Sequence, residues 1–348
     1  MNLITSIRLY AGLWRPERPS VVSVQQQKER NAMQKTASLS MKAERRRENI
    51  AGYLFMAPSL LFFLGFVIFP MGMCLYTSFF KYTMSEFTFI GIQNYVRAFT
   101  DVIFVNEALV NTIVIVLVSV PVTCFFSLWV ATIIYKMRDF GTSFYRCVFY
   151  LPVVTGSVAV TVVWKWIFNN YTGVLNYLMK NLGQFLQNAG LLEKTMGTVF
   201  SGTWNWLGSP ETALGCIIMI LLTTSVGQPI VLYVSALSNV DHSLIEAAEV
   251  DGATNLQVFW RIKWPQIMPT TLYILVITTI NSFQCFALIQ LLTSGGPINS
   301  TQTIMYYIYY NAFKLQDYGY GSAMGVVLAI IIAIFSAIQF RLAKSDNG

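Results

Sequence analysis

The sequence predicts an all-α membrane protein with six transmembrane helices. Three observations carry that expectation. Only 11% of its 348 residues are charged and 55% are apolar, where a soluble domain typically carries about 25% charged residues. The apolar residues are gathered into six continuous runs of membrane-spanning length. None of those runs contains an Asp, Glu, Lys, Arg or His.

Crossing hydrocarbon takes about 20 apolar residues in a helix, because each residue rises about 1.5 Å and every backbone polar group must be satisfied internally. The runs from Gly52 to Phe80, Ala108 to Tyr135, Cys147 to Trp164, Ala213 to Leu237, Pro269 to Leu292 and Ala323 to Phe340 meet that requirement. A transmembrane β-barrel would show short alternating segments instead. The chain therefore divides into a basic tail over 1–49, a six-span domain over 50–341 and a short tail over 342–348.

The first tail is apolar in patches only up to residue 14 and polar from Arg15 to Asn49. It is too short in apolar length, and lacks the cleavage site, for a secretory signal. A disordered cytosolic tail, an amphipathic surface helix, or a translation start at Met33 or Met41 each accommodates it. Arg45, Arg46 and Arg47 close it and anchor the first span.

The net charge of +7 could suggest a nucleic-acid partner, so the position of the basic residues decides. With an inside amino terminus, inside segments hold 17 of the 23 Lys and Arg, 10 of them in the tail. Lys136, Arg138 and Arg146 follow in the first inside loop, then Arg261, Lys263, Arg341 and Lys344. This is the positive-inside pattern, with both termini cytoplasmic. The basic balance reflects topology and no nucleic-acid partner is implied.

All five cysteines, Cys74, Cys124, Cys147, Cys216 and Cys285, fall within the spans, which disfavours structural disulfides and zinc. The single histidine, His242, cannot assemble a His-based metal site and reads as a surface residue. No metal and no catalytic constellation is expected. Between the third and fourth spans, Val174, Leu175, Leu178, Leu182, Phe185 and Leu186 recur at helical spacing, as in a helix lying along the outer interface. Trp204 and Trp206 would sit at headgroup depth.

The most specific pattern lies in the inside loop over 238–267. It reads Glu246-Ala247-Ala248-Glu249-Val250-Asp251-Gly252-Ala253 and continues to Ile262, Trp264 and Pro265. Locally this is two helices joined by a tight corner. Ser243 with Glu246 fits a capping box for the first, and Thr254 with Gln257 fits one for the second. Gly252 stands where a left-handed cap is needed, and Pro265 stops the second helix one turn before the membrane. A helix-turn-helix reader of DNA has a similar outline, but Asp241, Glu246, Glu249 and Asp251 outnumber Arg261 and Lys263 and would repel phosphate.

These residues resemble the cytoplasmic EAA loop of the inner-membrane permease subunits of binding-protein-dependent ABC importers. The match in order and spacing runs through Glu246, Ala247, Ala248, Gly252, Ile262 and Pro265, with Trp264 in place of a leucine. The resemblance implies a type I importer permease fold, and that Glu246, Ala247, Ala248, Asp251, Gly252, Ala253, Ile262 and Pro265 dock into a cleft of an ATPase subunit. A departure at Val240-Asp241, where many relatives have Ile-Pro, is expected to alter only the angle at which the chain meets the helix.

Three further segments resemble the carbohydrate branch of that family, the maltose and glycerol-phosphate type permeases. They are Phe89-Ile90-Gly91-Ile92-Gln93-Asn94-Tyr95, Leu292-Thr293-Ser294-Gly295-Gly296-Pro297 and Tyr318-Gly319-Tyr320-Gly321-Ser322-Ala323. The whole resemblance extends from about Asn49 to Arg341.

The absence of ionisable residues from the spans separately disfavours proton coupling and charged cargo. The spans offer hydroxyl and amide groups instead: Thr223, Thr224, Ser225 and Gln228 in the fourth, and Thr278, Asn281, Ser282 and Gln284 in the fifth. Sugar hydroxyls pair with such groups, although the same groups also hold membrane helices together. In maltose-type relatives the cargo sits between the helices matching these two spans, which makes Thr224, Ser225, Gln228, Thr278, Asn281, Ser282 and Gln284 the expected pathway.

No G-x-x-x-x-G-K-[ST] phosphate loop is present. The chain therefore holds no cofactor, and ATP and Mg would be bound by a partner ATPase. The partners implied are a second homologous permease, two ABC ATPase subunits and an extracytoplasmic sugar-binding protein in the bacterial inner membrane. The reading that follows is a sugar or oligosaccharide permease working by alternating access. Permeases for a phosphate ester, amino acid or polyamine, and an ATPase-independent channel, are the alternatives.

Overall fold

A computed structural model describes residues 30, 33, 47–188 and 204–345. Most of the basic tail expected over 1–49 lies outside the described residues. The described chain divides after Met71 into two compact units, and the second holds every site discussed below.

Among the described residues, four helices are long and apolar enough to cross a membrane: Arg47–Thr77 (α1), Ile103–Ile134 (α3), Asn255–Leu292 and Tyr318–Leu342. Two bent pairs bring the total to six if each is one span. Among the described residues the fold is all-α apart from a hairpin of β1 (Phe80–Tyr82) and β2 (Phe87–Phe89), paired Phe80 to Phe89. The expected end of the first span at Phe80 is thus too late, because the helix stops at Thr77 and Phe80 already lies in a strand. After the hairpin comes a short helix, α2 (Gln93–Thr100).

The third expected span, Cys147 to Trp164, is not one rod. It straddles α4 (Asp139–Val154) and α5 (Ser157–Ile167), which meet at 95°. Thr155 is already extended, at ψ 126°. Hydropathy does not change at the corner, so the continuous apolar run conceals it. The helix expected between the third and fourth spans is present as α6 (Val174–Asn188). Asn176 pins it, donating to the carbonyls of Asn170 and Trp204 at 2.9 and 3.0 Å and accepting from the Trp206 indole at 2.9 Å.

The fourth span is α7 (Pro210–Ser225) followed by α8 (Gly227–Ser238), bent by 40°. Pro229 has no amide hydrogen to return to the carbonyl of Ser225, which accounts for the bend. Next come α9 (His242–Val250), α10 (Asn255–Val258), a π turn over Phe259–Lys263, α11 (Trp264–Phe283) and α12 (Ala287–Leu292). The chain closes with α13 (Ile304–Tyr309) and α14 (Tyr318–Ser345), so helix continues past residue 341 into the expected short tail.

The central helix is α3, which packs against α8 and α11, with α14 against α11. Its buried face carries Thr112, Ser119, Thr123 and Ser127 beside Val116, Val120 and Ile134. Leu117, Phe125, Trp129 and Ile133 point outward and are exposed. Hydroxyls inside and large apolar groups outside reverse the soluble pattern, as expected of a helix whose surroundings are hydrocarbon.

Candidate functional site

The loop over 238–267 is built by two capped corners. Asp241 caps α9, its Oδ1 accepting from the Ser243 amide at 2.9 Å. The capping box expected of Ser243 and Glu246 is therefore corrected: the carboxylate two residues earlier starts the helix, which leaves Glu246 in its middle and exposed. The same Ser243 bond holds the Asp241 carboxyl below the usual carboxylate range.

At the other end of α9, the Ala253 amide donates to the Ala248 carbonyl at 2.9 Å and the Gly252 amide to the Glu249 carbonyl at 3.1 Å. This is a Schellman closure with Gly252 at its left-handed position, φ +77°. Nothing lies within 4 Å of a Cβ built on Gly252. Backbone conformation, not space, is what requires glycine there. Leu244, Ala247 and Val250 follow one another at i, i+3 and i+6 and are all exposed.

Thr254 and Gln257 form the expected box, the Gln257 side chain accepting from the Thr254 amide at 2.8 Å. Pro265 does not stop the helix as expected. It sits in the first turn of α11, where its missing amide is tolerated, and the π turn before it carries the chain on. Ile262 packs partly buried against the core.

The amide and hydroxyl groups of α7, α8 and α11 converge on a cleft of about 140 Å³. Thr224, Ser225, Gln228, Pro229 and Leu232 line one wall. Tyr273, Ile274, Ile277, Thr278 and Asn281 line the other, and Val153 of α4 closes it. Both walls follow the same helical stripe, i, i+1, i+4, i+5 and i+8. The Thr224 hydroxyl donates to the carbonyls of Ile220 and Leu221 at 3.2 and 3.0 Å, which leaves its oxygen as an acceptor.

The structure brings five of the seven expected pathway residues to this cleft. Gln284 lines an adjoining cleft of about 320 Å³ that also reaches Thr224. Ser282 lines neither: its side chain is buried and its hydroxyl lies 2.9 Å from that of Ser119 on α3. Thr223 borders an apolar groove elsewhere. Tyr273 is the polar lining group that sequence reasoning missed, although its spacing of four and eight from Ile277 and Asn281 carried the signal.

The end of the bundle opposite the loop is tied by a carboxylate. Asp101 accepts from the phenols of Tyr307 and Tyr320 at 2.7 and 2.9 Å and from the amides of Ile103 and Phe104 at 2.9 and 3.3 Å. Burial alone would raise its pKa, but these donors hold it below the usual range. Arg97 pairs with Asp317 at 2.7 Å while lying 3.9 Å over the Tyr320 ring. Among the described residues no group of three or more His, Cys, Asp or Glu could hold a metal.

The sequence that builds this arrangement, a capped two-helix corner at one end of a helical bundle and a neutral polar cleft within it, matches a known family. Residues 104–345 match the binding-protein-dependent transport system inner membrane component. The chain belongs to that family. It is 33% identical over 320 residues, 90% of this chain and 95% of the other, to a probable ABC transporter permease protein of Bacillus subtilis, YesP. It is 30% identical over 295 residues, 84% and 95% of the two chains, to the multiple sugar-binding transport system permease protein MsmF of Streptococcus mutans. In fold it is similar to a chain in the crystal structure of a bacterial alginate ABC transporter in complex with an alginate pentasaccharide-bound periplasmic protein. There the TM-score is 0.69 at 22% identity, covering 86% of this chain and 96% of that one. The protein is thus a transport permease subunit of the type I fold and not an enzyme.

Proposed function

We propose that this chain is the membrane-spanning permease of an ATP-driven importer for a sugar or oligosaccharide, working by alternating access. The observation that carries the reading is the cleft between α7, α8 and α11, whose polar lining is wholly neutral hydroxyl, amide and phenol. Such groups exchange hydrogen bonds with sugar hydroxyls and offer a charged cargo no counter-ion. MsmF, whose name concerns sugar transport, supports the same class.

In this reading the corner of α9 and α10 enters a groove of the ATPase, with Leu244, Ala247 and Val250 as its apolar face and Glu246 beside them. ATP and Mg are bound by two ATPase subunits, and a second, homologous permease completes the channel. An extracytoplasmic binding protein delivers the sugar. The excess of Lys and Arg in the segments read as inside supports a cytoplasmic position for both termini.

The test is uptake into proteoliposomes that hold this chain with its cognate permease, ATPase subunits and binding protein. Accumulation of a labelled neutral sugar that needs internal ATP and the binding protein is the expected result. ATP-dependent uptake of an amino acid or polyamine instead, or sugar flux without ATP, would overturn it.

A further inference from the structure

Lys263 is 9% exposed, and neither ion pair among the described residues includes it. The loop carboxylates Asp241, Glu246, Glu249 and Asp251 are all exposed. A buried ammonium without a carboxylate needs other compensation, and Tyr135 supplies it. The Lys263 Nζ donates to the Tyr135 hydroxyl at 2.5 Å and lies 5.0 Å from the centre of its ring.

The pairing depends on the π turn. Val258, Lys263, Ile267, Thr271, Ile274 and Thr278 form the buried row of this segment. The first interval is five residues, the period of the π turn, and the rest are three or four. A plain α-helix from Val258 would bring Ile262 to the inward position; the extra residue brings Lys263 there instead. Single π turns of this kind recur at functional sites.

Among the described residues, this is the one side-chain hydrogen bond that joins the loop over 238–267 to a distant part of the chain. Tyr135 is the C-cap of α3, the helix against which α8 and α11 pack. We propose that Lys263 and Tyr135 form the link through which movement of the loop is passed to α3, so that loop and helix end move as one body. Both are positioning residues, and the proposal rests on the importer reading above.

The experiment uses the full complex in lipid nanodiscs, with ATP and vanadate as the probe. Spin labels at His242→Cys, exposed at the start of α9 and away from the docking face, and at Met137→Cys, with the native cysteines replaced, report the distance between loop and helix end. With Lys263 and Tyr135 present, trapping leaves that distance unchanged within about 2 Å, the scale of a helix shift. In Tyr135→Phe and Lys263→Met, trapping changes it by more than this, while recovery of the ATPase and basal hydrolysis stay within about twofold. Lys263→Arg keeps the cation and behaves as the parent does, and the double variant is no worse than the worse single one, as expected of a shared contact.

An unchanged distance in both single variants, a changed one in the parent, or strictly additive effects overturns the link. If no ATPase is recovered with the parent chain, the importer reading itself fails, which is a separate result.

Discussion

The Ala253 amide reaches back to the Ala248 carbonyl across Gly252, so the second alanine of the loop motif and the glycine four residues later belong to one hydrogen-bonded closure. The spacing between them is set by that closure. Any partner that reads Ala247 reads it at an angle fixed by Gly252.

Gly252→Val should therefore disturb docking more than folding. A β-branched residue at φ +77° carries about 1–3 kcal/mol of strain. Because the position lies outside the spans, the variant should insert normally but recover less ATPase on purification. Full recovery with full ATPase stimulation by the loaded binding protein would remove this loop as the coupling element.

Asp241→Ala and Glu246→Ala should separate capping from contact. Losing Asp241 removes the acceptor of the Ser243 amide, so amide exchange over the first turn of α9 should quicken. Glu246→Ala should leave that exchange unchanged and act only on ATPase affinity. Equal fraying in both variants would contradict the cap assignment.

Within the clefts, Tyr273→Phe, Thr278→Val and Asn281→Leu should each raise the sugar concentration needed for half-maximal uptake while sparing assembly. Ser282→Ala should do the reverse. It removes an interhelical hydrogen bond to Ser119, worth about 0.6 kcal/mol in membrane helices, and should lower thermal stability slightly with uptake affinity intact. Uptake curves and melting of the purified complex distinguish the two groups.

Asp101 predicts a pH dependence. Its folded pKa is depressed, so its contribution to stability is present above the unfolded value, about 3.9, and is lost as pH falls through the lower folded value. The tie to Tyr307 and Tyr320 should hold throughout pH 5–8. Tyr307→Phe and Tyr320→Phe should each lose about 1 kcal/mol there, the low figure reflecting a partly exposed acceptor. Melting of the single variants at pH 7 and pH 3 checks this, since the difference from the parent should shrink in acid. A difference that grows in acid would reverse the sign.

The continuous apolar rods, α1, α3 and α14, were legible in the sequence because length and absence of charge decide them. The corner between α4 and α5 was not, since Cys147 to Trp164 is apolar on both sides of Thr155 and hydropathy carries no direction. The first cap was misread because Ser243 and Glu246 fit the box pattern while the shorter reach of Asp241 takes the amide. The inward position of Lys263 was not legible for a related reason: only the π turn turns it inward, and no residue pattern announces an inserted backbone position. The polar cleft was mostly legible, because its stripe on each wall keeps helical spacing. Ser282 shows the limit, as a hydroxyl facing a neighbouring helix and one facing a cleft look alike in sequence.

The right angle at Thr155 and Gly156 has a consequence for solvent. At about 1.5 Å per residue, the 16 residues of α4 rise only about 24 Å, short of the roughly 30 Å of hydrocarbon. The backbone at the corner therefore turns at a depth where lipid tails offer it no hydrogen bonds. Thr155, Ser157 and Gln284 border the adjoining cleft at that point. A corner at that depth is expected to face water or another polar surface across the adjoining cleft, before any cargo arrives.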